Sequence, residues 1–121
     1  MANTFKVATF AAEPASAGTP YVMYTVASST TTVILGLVLT NLNTTSVTAE
    51  VELVSDTANR NGTNNVANTT AFLVKDVNIP AGSSLEVLTG GKVVMETTDV
   101  LKIDCSVADK LSGTLSIMEI T

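Results

Sequence analysis

Apolar and polar residues alternate along most of this chain with a period of two, the spacing at which successive side chains leave a pleated strand on opposite faces. In Ser46-Val47-Thr48-Ala49-Glu50-Val51-Glu52-Leu53 every odd position is apolar and every even one polar. That predicts a half-buried strand with Glu50 and Glu52 in water. Residues 101–107 repeat the pattern, and in the closing segment Leu111, Leu115 and Ile117 share one side against Thr114 and Ser116. Further strands are expected over 5–11, 21–26, 72–79, 85–88 and 93–95. Tyr21 and Tyr24 fall on opposite faces by strand phase, which predicts one buried and one exposed.

Residues 33–39 break the alternation, because both faces are apolar apart from Gly36. Such a strand is either covered on both sides within its own domain or faces a partner subunit. Gly36 marks a bulge or a close approach of backbone. Turn chemistry separates the segments. Ile79-Pro80-Ala81-Gly82 suits a type I turn, and Gly90-Gly91 suits a tight hairpin between the strands at 85–88 and 93–95. No stretch carries a helical stripe. About eight or nine short strands at regular spacing predict an all-β fold, a single antiparallel β-sandwich of jelly-roll or immunoglobulin-like type. The Cys…Trp…Cys hallmark of antibody domains is missing, since the chain has one Cys and no Trp.

Two segments do not read as strand. Residues 11–20 are rich in Ala, Pro, Ser and Gly and predict a flexible arm or linker, so that residues 1–20 form an N-terminal strand and arm and residues 21–121 the sandwich. Residues 55–70 form an Asn/Thr/Gly-rich loop, long for a compact domain, and a partner-contacting role is weighed for it. The candidate partner contacts are therefore Phe5, Val7 and Phe10 in the N-terminal strand, Asn59, Arg60, Asn61 and Asn64 in the loop, and Ile34 and Val38 in the apolar strand.

Composition narrows the chemistry. At 121 residues the chain suits one domain able to bury a core without a disulfide or metal staple. It has no histidine, the usual proton shuttle and metal ligand near neutral pH. Cys105 sits in the apolar phase of its strand and reads as a buried small hydrophobe, with no histidine to activate it. Glu50 and Glu52 share a wet face rather than the apolar pocket that would raise one carboxyl's pKa. An EF-hand reading of the long loop fails, because with Gly62 sixth the twelfth position is Asn68 and not Glu. Three Asn-x-Thr sequons, at Asn43, Asn61 and Asn68, read as products of an Asn/Thr-rich composition. No catalytic residue, cofactor site or metal site is expected.

The net charge is −5 and the six basic residues are scattered singly, so neither nucleic acid nor an anionic membrane is an expected partner. Only 14% of residues are charged, which leaves room for another protein to cover part of the surface. No charged n-region precedes an apolar h-region at the N-terminus, and the apolar run at 33–39 is too short to span a bilayer. Synthesis in a cytosol is expected.

The run 24–37 (YTVASSTTTVILGL) resembles a pattern in small accessory virion proteins of tailed bacteriophages. The resemblance continues in 73–88 (LVKDVNIPAGSSLEVL), then in Gly91-Lys92-Val93-Val94-Met95, in 99–103 and in the last strand, leaving the long loop unmatched. It implies a non-enzymatic β-sandwich mounted in many copies on a virion assembled in the host cytoplasm. The implied partners are the major capsid protein or other virion proteins and further copies of the chain, as a trimer or ring. A head-surface decoration protein that stabilises the capsid lattice is the leading expectation. A neck, tail or baseplate component, or a receptor- or glycan-binding module of the tail, is the alternative.

Overall fold

A computed structural model describes residues 2–55 and 69–121. Among them are nine strands and no helix: β1 (Asn3–Glu13), β2 (Tyr21–Thr25), β3 (Thr31–Asn41), β4 (Val47–Val54), β5 (Thr70–Ile79), β6 (Ser84–Glu86), β7 (Val93–Met95), β8 (Val100–Cys105) and β9 (Leu111–Ile120). They form two antiparallel sheets. Sheet A runs β1-β9-β3-β6, with β7 also on β3; sheet B runs β2-β8-β4-β5. All the expected strands are present in a single β-sandwich.

Strand order selects between the two sandwich types. First pairs with last (β1·β9), second with next to last (β2·β8), β3 with β6 and β7, and β4 with β5. The chain is thus one long hairpin, rolled so that β9 also lies on β3 and β8 on β4. This is jelly-roll wiring.

The alternating positions fill the space between the sheets. Val47, Ala49 and Val51 of β4, Leu101, Ile103 and Cys105 of β8, and Leu111, Leu115 and Ile117 of β9 are all buried. β3 contributes Ile34, Leu37 and Leu39, which breaks strict alternation. The register against β9 jumps between Ile34↔Ile117 and Gly36↔Ser116, so Leu35 is an extra residue. A bulge of this kind reverses strand phase. The run is apolar on both parities because even positions face the core before the bulge and odd positions after it. A Cβ at Gly36 would meet nothing within 4 Å, so the glycine marks the bulge and not a close approach.

A second register shift, between Val22 and Tyr24, corrects the tyrosine assignment. Tyr21 lies opposite Ile103 and Tyr24 opposite Leu101, so both turn toward the interior and both are half-buried. The turns differ too. Ser83 N–H donates to Pro80 O at 3.1 Å and Gly82 has φ of 69°, so the turn starts one residue later than expected and uses its glycine's positive φ. The residues around Gly90 do not close a hairpin. β6 and β7 lie end to end along β3, opposite Val38–Thr40 and Thr32–Ile34 respectively.

The N-terminal region is part of the sandwich. β1 is laddered on β9 from Asn3 to Phe10, and the connection to β2 is tied down where Asp109 N–H donates to Pro14 O (2.8 Å) and Gly18 N–H to Asp104 Oδ1 (3.2 Å). The Glu13–Pro14 peptide is cis. Asn41, 2% exposed, holds another corner by donating to Thr45 O and Ile79 O and accepting from Asn43 N–H.

Candidate interaction surface

The outer face of sheet A is built by register. Phe5 lies opposite Met118, Met118 opposite Val33, and Val33 opposite Val94, which makes one apolar row across four strands. Beside it run Val7, Ser116 and Gly36, then Thr9, Thr114 and Val38. Phe5 is 71% exposed, Val7 65%, Val94 58% and Val38 37%, so among the described residues four of the seven exposed large hydrophobics lie on this one face. Of the residues paired across it only Glu86 is charged. Scattered exposed apolar residues are ordinary, whereas a contiguous group marks an interaction surface.

The sequence-derived candidates divide. Phe5, Val7 and Val38 share this surface. Phe10 and Ile34 do not. Phe10 packs its ring on Tyr21, with centroids 5.3 Å apart, and over Gly113, while Ile34 is fully enclosed between the sheets. Both are core residues, placed inward by strand phase, and cannot touch a partner of the folded chain. Asn59, Arg60, Asn61 and Asn64 lie outside the described residues. Val33, Val94 and Met118 were not singled out, because the row exists only in cross-strand register, which a linear pattern does not carry.

A polar clasp closes one margin of the sandwich behind this face. Lys6 Nζ is 2.7 Å from Glu119 Oε1, and Tyr24 O–H donates to Glu119 Oε2 at 2.6 Å. With the phenol proton so used, Thr32 Oγ1 donates to Tyr24 Oη at 2.7 Å. The clasp joins β1, β2, β3 and β9, and so both sheets. The Lys6 hydrogen bond, followed by that from Tyr24, holds the Glu119 carboxyl below its ordinary value. Burial, helped by the Glu119 carboxylate, pushes Tyr24 up to about 12. A phenol held protonated beside a paired carboxylate is an interlock, not a poised acid–base pair.

The outer face of sheet B is different. A shallow cleft of about 220 Å³ is lined by Gly18, Thr48, Glu50, Asp76, Asp104, Cys105 and Ser106. Its carboxylates are engaged: Glu50 with Lys75 at 3.0 Å, Asp76 with Lys75 at 3.9 Å, and Asp104 with the N–H groups of Gly18 and Cys105. Among the described residues no group of three or more His, Cys, Asp or Glu is arranged to hold a metal ion. Cys105 is 3% exposed, and burial raises its thiol pKa, which leaves it in the inert form. A second cleft, about 180 Å³, lies along the β1–β2 connection between Glu13 and Tyr21.

The fold and this face define a jelly-roll sandwich with one charged outer surface and one apolar outer surface. Comparison with protein-family models, with curated proteins and with solved structures found no match to the chain.

Proposed function

We propose that this protein is a non-enzymatic structural component of a tailed-phage virion, a head-surface decoration protein that stabilises the capsid lattice. The observation that supports an assembly role is the uncovered apolar row Phe5–Met118–Val33–Val94 on a sheet face with almost no charge. A face of this kind gains by being covered with protein. The virion setting comes from the sequence resemblance across 24–37, 73–88 and the later strands, and jelly rolls are one of the folds that capsid proteins use. Fold alone does not specify function, so the role is argued from the face.

In this reading the sandwich acts as a rigid plate. The clasp and the core fix its shape, and the apolar face lies on neighbouring shell proteins. The test is mass spectrometry of purified particles of a phage encoding this chain, with copy number counted against the major capsid protein. Copies in the hundreds support decoration of the head. A dozen or so copies replace it with a neck or tail component. Absence from the particles overturns the virion reading.

A further inference from the structure

The unpaired edge of β1 presents backbone groups in a defined order. Ala2 N–H donates to Thr121 O at 3.0 Å and Thr121 N–H to Ala2 O at 2.9 Å, so this pair exchanges both bonds. The β1–β9 register continues it without a break from Asn3 to Phe10. In an antiparallel ladder such doubly bonded pairs recur at every second residue. Thr4, Lys6, Ala8 and Phe10 therefore turn their backbone polar groups toward β9. Asn3, Phe5, Val7 and Thr9 turn theirs away, and among the described residues no strand lies on that side. The side chains of the same four residues stand on the outer face of sheet A, and none is charged.

The long outer strand of sheet B is built differently. β5 loses register twice against β4, has Asp76 at a φ of 51°, and carries Lys75 and Asp76 exposed. Bulges and charges are the devices that keep an edge from pairing. β1 has no bulge over Asn3–Phe10, and its one charge there, Lys6, is bound to Glu119.

We propose that β1 is a pairing edge whose occupant is β1 of a second copy, antiparallel about a two-fold axis with Phe5 opposite its counterpart. That register makes doubly bonded pairs of Phe5 with Phe5 and of Asn3 with Val7 in both directions. It sets Lys6 across from Thr4, whereas a register centred on Lys6 would oppose two lysines. It also runs the apolar row of one copy directly into that of the other, in a continuous sheet of eight lanes. Each chain carries −5, so two copies repel over most of their surfaces and meet most favourably at an uncharged edge. Phe5, the most exposed large hydrophobic side chain among the described residues, becomes the central anchor.

The strand overlap spans residues 2–8 and buries on the order of 400 Å² per copy, at the low end for specific interfaces. Association is therefore read at micromolar concentrations and above. This pairing does not rest on the virion reading, and its solution unit is a two-fold pair where the sequence resemblance implied a trimer or ring.

Sedimentation of the purified chain from about 5 to about 500 µM tests it. The wild type is expected to move from monomer to twice that mass. Val7→Pro deletes an N–H that points to the open edge and is unbonded to β9, so it is expected to stay monomeric with an unchanged far-UV spectrum. Ala8→Pro deletes an N–H bonded to β9 and is expected to lower the melting temperature instead. Should Val7→Pro fail to fold, Phe5→Lys places a charge on the same edge without touching the core, and is expected to weaken pairing at least about tenfold. A wild type that stays monomeric throughout overturns the proposal. So does any assembly that a folded edge variant leaves unaltered.

Discussion

Gly113→Ala tests the joint between β1 and the core. A Cβ at this position would stand 2.6 Å from Phe10 Cζ and closer still to Cε2. Real Cβ atoms do not approach so near, so the Phe10 ring must move. It is hemmed by Tyr21 on one side and is 9% exposed. The upper bound on the cost is full ejection of the ring, worth about 1.5–3 kcal/mol of lost burial. Overpacking that is relieved by smaller shifts costs about 1–3 kcal/mol. Against either stands about 0.5–1 kcal/mol gained by replacing a glycine inside a strand. The net expectation is about 1–2 kcal/mol of destabilisation, a fall of about 4–8 °C in melting temperature for a domain of this size. Thermal unfolding should be followed in wild type, Gly113→Ala, Phe10→Leu and the double variant. Leucine lacks the ring atoms nearest the new methyl, so most of the penalty should vanish in the Phe10→Leu background. An equal or higher melting temperature for Gly113→Ala, or the same fall in both backgrounds, would refute the reasoning.

The clasp predicts opposite behaviour at the two ends of the pH scale. Glu119 has a folded pKa below its ordinary 4.5, so its stabilisation is present above 4.5 and lost as pH falls through the folded value. The stability gap between wild type and Glu119→Gln, measured by urea titration, should therefore be widest near neutrality and close in acid. Tyr24 is raised from 10.0 to about 12, so its stabilisation is whole below 10.0 and lost as pH climbs through about 12. Tyr24→Phe should remove that alkaline limb, and an identical limb in both proteins would contradict the assignment. Ile34→Ala should cost about 2–5 kcal/mol, because its side chain is fully buried, while Val38→Ala on the outer face should change stability by less than about 0.5 kcal/mol. Denaturation curves that rank the two the other way would place the bulge in β3 elsewhere.

Strand positions were legible from period-two alternation because one face of each strand is wet, and β4, β8 and β9 follow that rule along their buried stretches. Departures from it came from bulges. The extra residue at Leu35 and the shift between Val22 and Tyr24 each reverse phase within one strand; Gly36 flags the first without saying where the phase turns, and no residue type flags the second. Ile34 looked available to a partner, and Tyr21 and Tyr24 looked opposed, for that reason alone. The jelly-roll order was one of two readings, since alternation says which face is buried and not which strand is the neighbour. The interaction face was half legible. Phe5 and Val7 are apolar in a strand that opens the chain, but their continuation through Met118 and Val33 to Val94 depends on residues far away in sequence.

β9 is the last strand in chain order and yet the middle of sheet A, with β1 on one side and β3 on the other. Translation therefore delivers the keystone after the stones it separates. Until β9 is made, β1 has no lateral neighbour in sheet A, and β3 has only the short β6 and β7 along its other side. Sheet A is completed only when β9 joins β1 and β3, two strands that lie far from it in sequence. Such wiring folds slowly compared with helical bundles of equal length. It also ties the protein's vulnerable interval to the time its message takes to be read, so that the strand most exposed in the finished molecule is the one that has waited longest.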